Sequence, residues 1–330
     1  MSQLTRRTLF ATAAAAAAGS AFAPLAARAA APAAASKQVP GVYRYKIGSA
    51  EVTVATDGAR TFPLADTFIP NAKRDDINAA LAAAYMDKDK MTIHFAPIVI
   101  NNGGKLVVID TGNGEASAGP TKGAVGQFGA NLAAAGIDAK AVDVVVISHF
   151  HGDHVNGLLT ADNSPAFPNA EIKVPATEWA FWMDDGERSR APKGRMAELF
   201  ENNRRIFDKL GRKVTPYEWN KEVAPGLTAI ATIGHTPGHT SYVLASGGQS
   251  VYIQSDVTNH PELFARHPEW HANFDQDPAQ AETTRRKVYD MMVAEKLLVQ
   301  GFHYPFPGLG HIEKDGAGYR VVPVQWNPVL

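Results

Sequence analysis

The chain has 330 residues, 45% of them hydrophobic, with 32 Lys and Arg against 33 Asp and Glu, and no cysteine. That length and apolar share build one large domain with a sizeable core, or two small ones. The near-neutral balance leaves no basic surplus for nucleic acid, and the lack of thiols excludes a disulfide framework and thiolate metal ligands.

The start, Ser2-Gln3-Leu4-Thr5-Arg6-Arg7-Thr8-Leu9-Phe10, leads into an Ala-rich apolar run ending among small residues at Ala27-Arg28-Ala29. It resembles a twin-arginine export signal with an A-x-A cleavage site, so residues 1–29 are set aside and a periplasmic or secreted protein is expected. An uncleaved anchor fits less well, because Pro24 and Arg28 interrupt a short run, and no membrane span is expected in the mature form. Without residues 1–29 the chain keeps 29 basic against 33 acidic residues, a net charge of −4. Residues 30–40 read as a linker and 41–330 as the functional domain.

Val42–Ile47 and Glu51–Thr56 alternate as two strands of a hairpin, and Ala59–Pro70 reads as loop. Asp75 and Asp76 open a helix through Tyr85. Ile93–Asn101 and Lys105–Asp110 are expected to pair around Asn102-Gly103-Gly104, and Thr121–Ala135 to form a helix stopped by Gly136. The apolar run Val142–Ile147 then ends in Ser148-His149-Phe150-His151-Gly152-Asp153-His154. A buried strand ending in such a turn can present His149 and His151 on one face and Asp153 and His154 on another, which makes two pockets.

Glu171–Pro175 reads as a strand, Ala176–Met183 as a short aromatic helix and Pro192–Leu210 as a longer one. Leu227–Ile233 runs into Gly234-His235-Thr236-Pro237-Gly238-His239, and the hairpin of Tyr242–Ala245 with Gln249–Gln254 delivers Ser255-Asp256. After a helix over 278–296, Leu297–Gly301 is the last clear strand, and it ends at His303.

A lone loop histidine is usually solvated or hydrogen-bonded rather than ligating. Three histidines and an acid within six residues, in a chain with 11 histidines, point instead to a divalent transition metal. Later strand ends add His235 or His239, then Asp256, then His303.

The H-x-H-x-D-H pattern resembles the signature of the metallo-beta-lactamase superfamily. That resemblance implies an α+β fold, a four-layer αββα sandwich, with a one- or two-metal hydrolytic site at the edge of two facing sheets. It favours His235 over His239, because the superfamily's third metal histidine sits in such a Gly-His-Thr context. It assigns His149, His151 and His235 to a first metal, Asp153, His154 and His303 to a second, and Asp256 as the bridge, with Asp153 and Asp256 the acids at the reacting centre. Asp110, in Asp110-Thr111-Gly112, is expected to support the metal loop, and His239 and His311 to support the ligands from outside. Two divalent ions follow, zinc first, although His/Asp sites also accept Mn, Co or Fe.

From about Gly41 to Pro323 the chain also resembles the methyl parathion hydrolase family, dinuclear phosphotriesterases and esterases of this fold. Asp57-Gly58, Gly234–Thr240, His303-Tyr304-Pro305-Phe306-Pro307-Gly308-Leu309-Gly310-His311 and Gly318–Pro323 carry that likeness. It implies a bridging hydroxide that attacks small-molecule phosphotriesters or aryl esters, and a possible homodimer. Phe95, Phe150, Trp179, Trp182 and Phe306 suggest an apolar pocket for aryl or acyl groups, with core packing the alternative for each. Lactonases acting on acyl-homoserine or other lactones are the alternative within the fold. They usually carry Tyr three residues after the bridging Asp, where this chain has Asn259. An envelope metal-binding protein is the non-enzymatic alternative, and it would need a closed coordination shell.

Overall fold

The structure, a computed structural model, describes Ala35 and residues 38–330 apart from Arg212 and Lys213. The expected export signal over 1–29, and all of the 30–40 linker except Ala35 and residues 38–40, lie outside the described residues.

The first hairpin is β1 (Val42–Ile47) and β2 (Ala50–Ala55), paired from Val42 with Ala55 to Ile47 with Ala50. The stretch read as loop from Ala59 opens with a strand, β3 (Gly58–Pro63). After α1 (Arg74–Ala83), β3 pairs with β4 (Lys90–Phe95) as a separate two-stranded sheet. The single strand expected over Ile93–Asn101 is therefore two. Pro97, which has no N–H to donate, sits at the break, and β5 (Ile98–Asn102) joins the main sheet beside β2.

β6 (Lys105–Ile109) follows, then α2 (Phe128–Ala134). This helix begins later than the expected Thr121, because Lys122, Gly123 and Gly126 all take positive φ. β7 (Val144–Val146) ends at the metal loop, whose one-turn helix α3 (Gly152–Val155) carries Asp153 and His154. β8 (Glu171–Pro175), α4 (Ala176–Met183), α5 (Asp185–Arg190), α6 (Arg195–Leu210) and β9 (Val214–Tyr217) complete the first half. Its sheet runs β1-β2-β5-β6-β7-β8-β9.

The second sheet holds β10 (Glu222–Ala224), β11 (Leu227–Ala231), β12 (Thr240–Ser246) and β13 (Gln249–Ser255). A π-helical turn at Pro261–Ala265 and α7 (Pro278–Ala294) then cross over to β14 (Val299–Gly301), which lies parallel to β13. Leu297–Gly301 is not the last strand. β15 (Leu309–Asp315) and β16 (Gly318–Pro323) form a further hairpin in which Leu309, Ile312 and Tyr319 are buried.

Strand alternation builds the layers. In β6, Val107 and Ile109 face the other sheet beside Leu227, Tyr242 and Ile253, whereas Val108 faces the helices with Phe128, Trp182 and Phe207. On the far side, Tyr252 and Val299 pack under Val288, Tyr289 and Met292 of α7. Full burial of such a side chain contributes about 1.5–3 kcal/mol, so this order of layers, helices outside two facing sheets, is the one that hides both faces of each sheet. No described helix is long and apolar enough to cross a membrane.

Candidate metal centre and cleft

The ends of β7, β12 and β13 are sewn together across the two sheets. Tyr217 and Tyr242 both donate their hydroxyls to the Ile147 carbonyl, at 3.0 and 2.9 Å, and the Thr240 N–H donates to the Ser148 carbonyl at 3.1 Å. Ser255 donates from Oγ to Ser148 Oγ at 2.7 Å. The loops after β7 and β13 and the loop that leads into β12 are thereby held at one edge of the sandwich.

Seven side chains converge there. His149 Nε2 lies 3.1 Å from His151 Nδ1, which lies 2.9 Å from His235 Nε2. On the other side, Asp153 Oδ2 lies 3.6 Å from His154 Nε2 and 3.4 Å from His303 Nε2. Asp256 stands between the two sets. Its Oδ2 is 3.4 Å from His235 Nε2 and 2.9 Å from His303 Nε2, and its Oδ1 is 3.3 Å from His154 Nε2. His239 is set apart from them. Its Nε2 accepts the Asp256 main-chain N–H at 3.0 Å, and its Nδ1 donates to the Thr232 carbonyl at 2.9 Å.

The donor chemistry fits divalent cations. His154 Nε2 and Asp256 Oδ1 are buried without a hydrogen-bond partner, although such an orphan costs about 1–3 kcal/mol. Burial and the neighbouring histidines push His149 and His151 well below the usual imidazole range, which favours the neutral, ligating form. Burial also opposes charge on His154 and His303, yet Asp256, with Asp110 or Asp153 behind it, draws both upward. Burial would raise the Asp256 carboxyl, but His303 and His154 hold it well below the ordinary carboxylate range. Such a cluster favours positive charge at its centre.

The outward-facing ring atoms are fixed in turn. Asp110, at a positive φ of 56° after β6, takes the Ser148 N–H on Oδ1 at 2.8 Å, and its Oδ2 meets His154 Nδ1 at 2.8 Å. His303 Nδ1 donates to the His94 carbonyl at 2.7 Å. Two further supports were not found from the sequence. Asp275 Oδ1 lies 2.7 Å from His235 Nδ1, while its Oδ2 lies 3.5 Å from the buried Arg285 guanidinium. Glu178, fully buried in α4, accepts from the Phe150 N–H, the Trp182 Nε1–H, the Thr236 hydroxyl and the Gly238 N–H, so one carboxylate links two histidine loops. Gly238 is required there, since a Cβ would lie 2.2 Å from the Glu178 nitrogen.

A cleft of about 430 Å³ opens onto His151 and Asp153. Its apolar lining is Phe62, Phe68, Ile93, Phe95 and Phe274, drawn largely from β3, β4 and the segments after them. Phe95 is the single expected pocket aromatic that lines it. Phe150 stacks on Phe207 at a centroid distance of 4.4 Å and Trp182 is fully buried beside Phe200, both in the helix-side core. Trp179 packs edge-on to Phe207 in that layer, and Phe306 is 41% exposed away from the cleft lining. A pattern of aromatics cannot by itself separate a core from a pocket wall, and here helix packing claimed them. His311 does not support the ligands either, because it is exposed on β15 and its Nδ1 donates to the Leu297 carbonyl at 2.9 Å. Asn259 lines the cleft with its Oδ1 unpartnered.

Comparison with known proteins gives the family. The family model described as metallo-beta-lactamase superfamily matches residues 97–296. No curated protein sequence matches the chain. Among solved structures, AidC, a dizinc quorum-quenching lactonase, superposes with a TM-score of 0.81 at 23% identity, covering 87% of this chain and 99% of its own. The hydrolase AbOPH superposes with a TM-score of 0.80 at 28% identity, covering 88% and 100%. A probable metal-dependent hydrolase from Staphylococcus aureus gives 0.63 at 18% identity, covering 86% and 100%. With this fold, this match and a His/Asp cluster at the sheet edge, the chain belongs to the metallo-beta-lactamase superfamily and is a metal-dependent hydrolase.

Proposed function

We propose that the protein hydrolyses small-molecule esters at a centre for two divalent cations. His149, His151 and His235 would hold one, Asp153, His154 and His303 the other, and Asp256 would serve both. The observation that carries this reading is the position of Asp256, with Oδ1 toward His154 at 3.3 Å and Oδ2 toward His235 at 3.4 Å and His303 at 2.9 Å. Zinc suits these ligands first and Mn, Co or Fe also fit; bound there, such cations supply a Lewis acid for a P=O or C=O oxygen and an acidified water as nucleophile.

The chain's own groups do the positioning. Asp110, His239 and Asp275 hold the outward atoms of the ligand set, so the donors are in place before substrate arrives. Asp153, whose side chain is 25% exposed against 3% for Asp256, is the acid of the set nearest solvent. Phe95, edge-on to His303, and Phe274, edge-on to His235, give the cleft apolar lining that suits an aryl or acyl group.

Aryl esters and phosphotriesters are the first substrate class, by likeness to the methyl parathion hydrolase family. Lactones are the second, supported by the superposition on AidC over 87% of the chain. The test is a panel of aryl esters, phosphotriesters and lactones on one zinc-loaded preparation, read as relative kcat/KM with metal content per chain. Turnover that survives in both His151→Ala and Asp256→Ala would remove the proposal.

A further inference from the structure

Of the twelve described arginines, ten make a side-chain hydrogen bond or an ion pair. Arg60 and Arg195 make neither, and both line the cleft that opens onto His151 and Asp153. They come from unrelated parts of the chain, Arg60 from β3 and Arg195 from the first residue of α6. Arg195 lies with its Cζ 5.7 Å from the centre of the Phe274 ring, a contact that places the guanidinium but uses none of its N–H donors. Asp153 and Asp275 act on it through space without an ion pair.

A guanidinium keeps its charge over the whole working pH range and offers five donors in a fork that matches an oxyanion. A scattered free arginine on a surface calls for no explanation. Two that share the mouth of the catalytic cleft, when every other described arginine has found a partner, do call for one. A neutral triester or a neutral aryl ester offers them an acceptor oxygen but no countercharge.

We propose that Arg60 and Arg195 clamp an anionic oxygen group of the substrate, a carboxylate or a phosphate, a few atoms from the scissile ester, with the apolar part of the molecule against Phe95 and Phe274. This rests on the reading of the site as an ester hydrolase, and it makes neutral phosphotriesters poorer substrates than acidic esters.

Binding and turnover are measured separately on zinc-loaded protein. The binding probes are hydrolysis-resistant anilides: N-phenylsuccinamate, its phosphonate counterpart and neutral butyranilide, titrated calorimetrically into wild type and the Arg60→Gln/Arg195→Gln double variant. In wild type at least one anionic anilide binds about tenfold tighter than butyranilide, with the advantage shrinking in high salt, as expected for charge-assisted contacts. Within the double variant that ratio collapses toward one. Whichever anion binds tighter identifies the group. Equal binding of charged and neutral anilides by wild type overturns the clamp, as does a ratio that survives in the double variant, which would assign it to the cations. Turnover of phenyl butyrate and of the monophenyl ester of succinic acid separates the two readings. Cleavage of both without anion preference sinks the clamp and leaves the hydrolase; clamp-dependent binding with no cleavage of either does the reverse.

Discussion

The Asp256 main-chain N–H donates to His239 Nε2 at 3.0 Å, so the carboxylate shared by both halves of the centre is aimed by a histidine behind it. His239 is fully buried, and burial with the charge of His235 lowers its pKa to about 3, which keeps Nε2 free to accept. His239→Ala would leave that N–H unpaired beside the cluster. The expected outcome is a loss of about 10–100-fold in activity together with weaker metal retention. Metal per chain after dialysis, measured beside kcat, checks it, and a variant that keeps both at wild-type level speaks against the role.

Asp275 serves two partners, His235 through Oδ1 at 2.7 Å and Arg285 through Oδ2 at 3.5 Å. Both side chains of the ion pair are 3% exposed, so Asp275→Asn leaves a buried guanidinium without its counter-charge, held by the Val257, Pro268 and Trp270 carbonyls alone. It is expected to cost about 3 kcal/mol of unfolding free energy and to weaken metal binding as well. Urea unfolding and a chelator titration on the same variant read the two effects. Asp275→Asn/Arg285→Met should recover part of the stability and none of the metal affinity.

Glu178 receives four donors and nothing else, an arrangement that an ionised carboxylate satisfies and a carboxamide cannot. Glu178→Gln turns an NH2 toward one pair of those donors. Hydrogen bonds to charged groups contribute about 1.5–3 kcal/mol each, so a loss of about 3 kcal/mol is expected. Because the carboxylate joins the loop of His149 and His151 to that of His235, affinity at the first metal pocket should fall more than at the second. Equal loss from both, followed by zinc titration of the apoprotein, would go against the linking role.

What the sequence made legible depends on how far apart the cooperating residues lie. Three histidines and an acid within six residues announce the metal loop directly, and Asp256 and His303 stand where predicted strands run out. Asp275 and His235 are 40 positions apart, and Glu178 and Gly238 are 60 apart, so no local pattern ties either acid to its loop. The cleft wall was hidden for a different reason. Phe62 and Phe95 reach it through the β3–β4 pair, which exists only because the chain breaks at Pro97 and leaves the main sheet. Trp182 and Phe150 read like wall residues, but Trp182 on α4 packs on Phe200 and Phe150 in the loop after β7 stacks on Phe207, so both turn into the helix-side core. The last hairpin, β15 with β16, is poorly legible because beyond Ile312 the outer half of β15 is exposed or half-buried and only Gly318 and Tyr319 of β16 are buried, so neither strand shows a full alternation.

His260 gives a pH dependence that can be isolated. It is 4% exposed, its Nδ1 has no hydrogen-bond partner, and burial, with the charges of His94 and His303 adding to it, lowers its pKa to about 4. The unfolded chain would bind a proton here near the ordinary 6.5. Between those values the unfolded state holds the proton and the folded state does not. The contribution of His260 to stability is therefore complete above pH 6.5 and is lost as the pH falls toward 4, a span worth about 3 kcal/mol. Other buried histidines add acid sensitivity of their own, so the readout is a difference between two proteins. His260→Gln does not titrate, and its loss of unfolding free energy between pH 7 and pH 5 should be about 2 kcal/mol smaller than that of wild type. Urea unfolding of both proteins, metal-loaded, at the two pH values measures this, because acid release of metal is common to both and cancels. Parallel pH profiles would mean that His260 is charged in the folded state, and that an acceptor for Nδ1–H is present in solution.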